Sequence, residues 1–138
     1  MFIINEGEIN LHMSHSQVNI FSHLTWTTKE SEPHLISEDV LKIILEHISE
    51  NAKKKNIRIE AIGGAANHVH ALVKLPKDKT IANVVMHLKG ESSHWIKRNV
   101  EGLEHFRWQT GYDARSVNEE GLDIVRHYIL NQEFETDV

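Results

Sequence analysis

Cysteine is absent from this chain of 138 residues, which excludes disulfide bonds and thiolate metal sites. Long apolar runs are missing too, since none approaches the roughly 18 to 20 residues of a membrane-spanning helix. The start of the chain lacks the basic-then-apolar pattern of a signal peptide, and there are no repeats or low-complexity segments. These absences predict a cytoplasmic protein. A hydrophobic content of 40% is enough for one globular domain with its own core.

The formal net charge of −5 argues against a protein that wraps DNA by electrostatic attraction alone. The charge is unevenly spread, however, because residues 53–115 carry 12 basic and 6 acidic side chains and both ends are acidic. A basic middle is compatible with a local nucleic-acid surface, and a solvated surface of mixed charge explains it equally well. The side chains that we consider for phosphate contacts are Lys89, Lys97, Arg98, Arg107 and Arg115.

Four segments have the β-branched and aromatic composition or the period-two alternation of strands. They span residues 18–29, 58–62, 68–74 and 106–117. The second and third segments are close enough in sequence to pair antiparallel, with Gly63 and Gly64 as a turn or bulge between them. The fourth segment is broken near Gly111.

Three stretches carry apolar residues at helical spacing, and each follows a good N-cap residue: Ser37, Thr80 or Asn118. The order strand, helix, strand, strand, helix, strand predicts an α+β fold, a ferredoxin-like (RRM-like) antiparallel sheet with two helices on one face. A C-terminal helix is extra to this core. Residues 1–16 show no clear period, and we expect a flexible arm there, before a single domain of residues 17–138.

Two histidines stand two residues apart in the third predicted strand. Residues i and i+2 of a strand project to the same face, so His68 and His70 make two-thirds of a metal site. Tyr128 and Gln132 are four residues apart on the last helix and share one of its faces. Two imidazole nitrogens and the Gln132 amide oxygen could hold one divalent ion and leave positions open for substrate oxygens. Histidines at a hydrogen-bonded sheet surface and a tyrosine that only packs are the simpler explanations of the same residues.

Tyr128 would lie beside that ion. A phenol of pKa about 10 is a poor nucleophile at neutral pH, but a nearby cation favours the phenolate and neutralises charge on a phosphoryl group. Attack of Tyr128 on a DNA phosphate would give a covalent phosphotyrosine, which keeps the phosphodiester energy for rejoining. Because the three ligands are neutral, we expect weak ion binding until substrate phosphate supplies charge. Imidazole suits Mn²⁺ better than Mg²⁺, and the more abundant Mg²⁺ also fits the prediction.

His68-Val69-His70 resembles the HUH motif, in which a hydrophobic residue separates two histidines. The segment 128–132, Tyr-Ile-Leu-Asn-Gln, resembles the tyrosine motif of the small single-tyrosine transposases, the insertion-sequence-200-like group. Segments 88–95 and 108–112 are similar as well, and the resemblance covers about residues 18–133.

The resemblance implies a homodimer that cuts and rejoins single-stranded DNA at the ends of a mobile element. Such proteins recognise subterminal hairpins and leave a 5′-phosphotyrosine and a 3′-hydroxyl, and their subunits can share active sites. Tyr128 is then the nucleophile. The implied ligands of Mg²⁺ or Mn²⁺ are His68, His70 and Gln132.

Two other functions are compatible with the sequence. Ferredoxin-like sheets often bind RNA by stacking bases on exposed aromatics, so a non-catalytic nucleic-acid-binding module is one, although the strand of His68 is poor in aromatics. A small-molecule metal hydrolase that uses the histidine pair and does not need Tyr128 is the other. We expect Trp26, Trp95 and Trp108 in the core, and Tyr112 as a structural residue or a DNA contact.

Overall fold

The computed structural model describes residues 16–31 and 37–132, so residues 1–15 of the predicted arm lie outside the described part. The strands are β1 Phe21–Thr27, β2 Arg58–Ala65, β3 His68–Lys74 and β4 Asp113–Val117. The helices are α1 Glu38–Lys54, α2 Ile81–Val85, α3 Glu91–Asn99 and α4 Leu122–Leu130. The strands form one antiparallel sheet in the order β2-β3-β1-β4, which confirms the predicted ferredoxin-like α+β fold.

The three predicted N-caps are confirmed, and they explain where the helices begin. Ser37 Oγ accepts a hydrogen bond from the Val40 amide (3.2 Å), and Thr80 forms a reciprocal capping box with Asn83. Asn118 Oδ1 accepts from the Gly121 amide (2.8 Å) and starts a short 3-10 turn that leads into α4. Each cap satisfies an amide at a helix start, where no carbonyl of the preceding turn is available.

The two faces of the sheet bury two different sets of side chains. The larger core joins one face to α1, α2 and α3, and its strand residues include Leu24, Trp26, Val69, Ala71 and Val73. A smaller cluster on the other face packs Ile129 of α4 against Phe21, Ala61 and Leu72. Because strand residues alternate between faces, His68 and His70 share the face that α4 partly covers. The extra C-terminal helix therefore lies on the histidine side of the sheet.

A π-helical turn, Met86–Gly90, separates α2 from α3 within what the periodicity predicted as one helix. The hydrogen bonds of the backbone are shifted in this π turn. The buried Asn51 amide of α1 donates to the His87 carbonyl oxygen (3.0 Å) and so gives that carbonyl a partner. Just beyond the π turn, the buried Ser92 hydroxyl accepts a hydrogen bond from Trp108 Nε1 (3.1 Å). Trp26 and Trp108 are buried in the core as predicted, and half-buried Trp95 packs at its edge.

The prediction that β2 ends at Ile62 and that Gly63 and Gly64 form a turn or bulge is wrong. The strand continues to Ala65, both glycines pair within the sheet, and the bulge lies between Ile59 and Ala61. The glycines are there because the neighbouring backbones are close. A Cβ atom on Gly63 would overlap the Ile129 carbonyl oxygen, and one on Gly64 would overlap the carbonyl of His68.

The last strand is shorter than predicted, since regular pairing begins only at Asp113. The preceding segment makes one isolated bridge, Thr28 to Trp108, and then turns at Gly111, whose φ of +94° suits glycine. No helix in residues 16–31 or 37–132 has the length and apolar character to cross a membrane.

Candidate active site

His68 and His70 lie side by side on β3, with ring centroids 4.8 Å apart and planes at 83°. His70 is only 8% exposed, whereas His68 is half-buried. The rigid central strand holds both rings toward α4. The shared face that period-two geometry predicts for this pair is confirmed.

His68 is held between Asn67 and Gln132, and Gln132 lies two residues beyond the end of α4 rather than on the helix as predicted. Its Nδ1 lies 2.8 Å from Asn67 Oδ1, and its Nε2 lies 3.3 Å from Gln132 Oε1. Gln132 Nε2 donates to the Tyr128 carbonyl oxygen (3.2 Å), and this bond directs the amide oxygen toward the histidine. When the proton of the His68 ring is on Nδ1, toward the closer Asn67 oxygen, His68 Nε2 and Gln132 Oε1 present lone pairs to each other across 3.3 Å. A cation shared by these two atoms would satisfy both of them.

His70 is held by two residues of β1 that the sequence analysis did not identify. Its Nδ1 lies 2.9 Å from His23 Nε2 and 3.0 Å from Thr25 Oγ1. Thr25 is the direct partner of His70 in the β1–β3 pairing, and His23 is one step along the same face. Alternation around buried Leu24 could have placed His23 and Thr25 on the face opposite the core. The β1–β3 register that brings them to His70 could not be read from the sequence.

His70 and His23 lie in an environment that disfavours positive charge on their rings. Burial, followed by the nearby His68 and His23, lowers the pKa of His70 to about 4. Burial also lowers the pKa of His23, with a smaller opposing effect from Asp113 and a further lowering from Arg115. His70 is therefore a neutral imidazole near pH 7, the form in which a histidine ligates a metal.

Tyr128 lies against this cluster in the same chain. Its ring is 52% exposed and meets the edge of His70 at 5.5 Å between centroids, and that of His23 at 6.2 Å. The next residue, Ile129, is fully buried and anchors α4 to the sheet. The structure thus brings together Tyr128, His68, His70 and Gln132, while their roles as nucleophile and ligands remain predictions.

The predicted ligand set contains no carboxylate. Within residues 16–31 and 37–132, no group of three or more histidine, cysteine, aspartate or glutamate side chains could hold a metal ion. Two imidazoles and one amide oxygen are the donors available at this site. All three are neutral, so a bound ion would depend on an anionic substrate for charge compensation.

Three of the five predicted DNA-contacting residues line one cleft on the α2–α3 side of the sheet. The cleft has a volume of about 390 Å³, and Lys89, Lys97 and Arg107 line it together with Trp108 and Tyr112. Among the described residues, no acidic side chain lines it, although the chain as a whole is negatively charged. Partial burial lowers the pKa of Lys89.

The other two predicted DNA contacts lie apart from this cleft. Arg98 is exposed near the end of α3. Arg115 is exposed on β4, pairs with Asp113 (2.9 Å), and lies across from His23 in the sheet. Tyr112 lines the cleft and is 45% exposed, whereas Trp26 and Trp108 are buried and not available for stacking.

Fold and site together define a class: a ferredoxin-like domain with a helix-borne tyrosine beside a histidine pair on a strand. The chain belongs to the IS200-like transposase family, whose model matches residues 16–132. It is therefore a member of a family of DNA transposases. The resemblance noted from the HUH and tyrosine motifs is confirmed.

Several solved structures share the fold, among them the following two. One, from Deinococcus radiodurans R1 and provisionally described as a transposase, has a TM-score of 0.68 at 21% identity and covers 92% of this chain and 100% of its own. The other is a REP-associated tyrosine transposase bound to a REP hairpin, with a TM-score of 0.61 at 17% identity; the match covers 88% of this chain and 70% of that one. Among curated proteins, no sequence matches at a significant level.

Proposed function

We propose that this transposase cleaves and rejoins single-stranded DNA at mobile-element ends, with Tyr128 as a metal-assisted nucleophile that forms a 5′-phosphotyrosine. The observation that carries the proposal is the position of the Tyr128 ring, 5.5 Å from that of His70. Gln132, four residues after Tyr128 and beyond the end of α4, reaches His68. Tyr128 is 52% exposed although its ring lies against those of His70 and His23, so its side chain is accessible to a substrate.

In the cleavage step the Tyr128 phenolic oxygen attacks a backbone phosphorus. A Tyr128 O–P bond forms, the P–O3′ bond breaks, and the departing 3′ oxygen takes up a proton to become a 3′-hydroxyl. The phenol gives up its own proton in the same step. Rejoining reverses the exchange: a 3′-hydroxyl attacks the phosphotyrosine and releases Tyr128. One phosphodiester is exchanged for another throughout, so no energy source is needed.

The residues present fit a divalent ion, Mg²⁺ or Mn²⁺. The facing lone pairs of His68 Nε2 and Gln132 Oε1 support this, and so does the anchoring of both histidines through Nδ1, which leaves the two Nε2 atoms as donors. His68, His70 and Gln132 would hold the ion. When bound, it would polarise the scissile phosphate and favour the phenolate form of tyrosine.

We further propose that the basic cleft binds the hairpin DNA at the mobile-element end. Three cations without an acidic neighbour in the lining suit a phosphate backbone, and exposed Tyr112 suits base stacking. A structural neighbour that binds a REP hairpin supports hairpin DNA as the ligand.

A homodimer is part of the proposal. The site described above pairs Tyr128 with the histidines of its own chain. Active sites shared between subunits would require α4 to leave its own sheet and dock on that of the partner.

The test is incubation of the protein with end-labelled single-stranded hairpin DNA and Mn²⁺ or Mg²⁺, followed by a denaturing gel. We expect a covalent protein–DNA adduct in the wild type and in Tyr112→Phe, the matched control, and no adduct in Tyr128→Phe. Shifted but uncut DNA would instead favour a binding module. Metal-dependent hydrolysis that survives Tyr128→Phe would favour a hydrolase.

A further inference from the structure

We propose that Thr25 and His23 are positioning residues that hold the ring proton of His70 on Nδ1 and thereby keep the lone pair of Nε2 available for a ligand. The link to metal binding rests on the proposed function. The assignment of the His70 tautomer depends only on the positions of the side chains of β1 and β3.

Two potential acceptors converge on one ring nitrogen of His70. Thr25 Oγ1 lies 3.0 Å and His23 Nε2 lies 2.9 Å from His70 Nδ1. A neutral imidazole carries one proton, on either nitrogen. With the proton on Nδ1, both neighbours accept from a single N–H in a three-centre bond, an arrangement that proteins use frequently. With the proton on Nε2, Nδ1 would present one in-plane lone pair, and only one of the two neighbours could donate to it with good geometry.

His68 supplies an independent parallel on the same strand. Its two ring nitrogens face acceptor oxygens, Nδ1 facing Asn67 Oδ1 at 2.8 Å and Nε2 facing Gln132 Oε1 at 3.3 Å, and the shorter contact favours the proton on Nδ1 here as well. Both rings are thus anchored through Nδ1 by a neighbouring group. The Nε2 atom of His68 faces Gln132, and no hydrogen bond engages Nε2 of His70 among the described residues. Matching tautomers therefore leave the Nε2 lone pairs of both His68 and His70 available to bind one metal ion.

The sheet makes this arrangement rigid. Thr25 pairs directly with His70 in the β1–β3 register, and His23 lies two residues earlier on the same face. Tyr128 packs its ring against both His23 and His70, which limits rotation of either imidazole. Groups that orient a metal-bound histidine in this way typically change metal affinity 10- to 100-fold when they are removed.

The first measurement is long-range ¹H–¹⁵N correlation NMR of histidine-labelled, metal-free and DNA-free protein at pH 8, with the His70 signals assigned by their loss in His70→Gln. We expect the Nδ1–H tautomer in the wild type and in Thr25→Ser, which keeps the hydroxyl. The double variant His23→Ala/Thr25→Val should move His70 toward Nε2–H. A wild-type His70 protonated on Nε2 would overturn the proposal without any variant being needed. An unchanged tautomer in a folded double variant would overturn it too.

The second measurement is Mn²⁺ affinity without DNA, from the electron paramagnetic resonance signal of the free ion. About 10- to 100-fold weaker binding is expected for the double variant, and near-wild-type binding for Thr25→Ser and for His127→Ala, an exposed histidine of α4. Equal affinity in wild type and double variant would overturn the positioning role. If Tyr128 forms no DNA adduct while the tautomer and Mn²⁺ results hold, the proposed function alone fails.

Discussion

Gly63 of β2 and Ile129 of α4 approach so closely that a Cβ atom at position 63 would overlap the Ile129 carbonyl oxygen. Gly63 pairs with His70 across the sheet, and Ile129 follows Tyr128. This close approach of α4 to the sheet therefore lies next to both Tyr128 and His70, the histidine that the tyrosine faces. The seating of α4, rather than the sheet alone, determines where the phenol lies.

Replacing Gly63 with alanine should push α4 away from the sheet, because the obstructing atom is backbone and cannot rotate aside. We expect a loss of about 1–3 kcal/mol in the free energy of unfolding, the usual cost of overpacking. Adduct formation by Tyr128 should fall with it. Urea denaturation measures the first effect, and the hairpin-DNA gel measures the second.

Gly90→Ala is the matched control for stability. A Cβ there would meet only Met86 Cγ, at an ordinary 3.9 Å, within a helical segment. Alanine should therefore be neutral or stabilise by up to about 1 kcal/mol. Equal destabilisation by the two substitutions would mean that loss of glycine flexibility, and not the contact with Ile129, is responsible.

Ile129→Ala removes the buried anchor of α4. Ile129 is fully buried in a small cluster with Phe21 and Leu72, separate from the main core, so its loss should cost about 2–5 kcal/mol. Faster amide exchange in α4 than in β1 or β3 would show that the helix detaches locally. Ile124 lies on the same helix but is 74% exposed, so Ile124→Ala should change stability by less than about 0.5 kcal/mol. Uniformly faster exchange across all elements would contradict a separable α4.

The features that were predictable from the sequence are those set by nearby residues. Ser37, Thr80 and Asn118 cap their helices because each satisfies amides two or three positions away. Likewise, His68 and His70 share a face because strand geometry alone requires it. Local rules of this kind also gave the order of elements, and hence the fold.

The errors and omissions have non-local causes. Gly63 looks like a turn residue until Ile129 of α4, 66 positions later, is placed above it. His23 and Thr25 become parts of the site only through the register that sets Thr25 opposite His70. Local periodicity predicts neither the docking position of a helix nor the register between strands that are distant in sequence.

Gln132→Glu tests the neutral character of the ligand set. A carboxylate at this position would add the charge that two imidazoles and an amide lack, so Mn²⁺ should bind more tightly before DNA is present. For the wild type, we expect Mn²⁺ affinity to rise when single-stranded DNA is added, and for Gln132→Glu this dependence should shrink. Titrations that follow free Mn²⁺, with and without DNA, measure both effects.

Asn131→Asp adds the same charge one residue away from the predicted ligand. Asn131 bonds to His127 rather than to the histidine pair, so its substitution should leave Mn²⁺ affinity nearly unchanged. If both variants bind Mn²⁺ more tightly to the same degree, the gain comes from general electrostatics and Gln132 is not a ligand.

Neutralising the basic cleft should weaken DNA binding in a salt-dependent way. Each of Lys89→Gln, Lys97→Gln and Arg107→Gln should lower affinity for hairpin DNA and reduce the slope of log K against log salt by about 0.7 to 0.9, one released counterion per phosphate contact. Tyr112→Ala should cost about 1–3 kcal/mol if a base stacks there, with little change in slope. Fluorescence anisotropy across a potassium chloride series gives both quantities. Arg98→Gln removes the same charge on α3 outside the cleft lining, so a slope change as large as that of Lys97→Gln would place the DNA elsewhere.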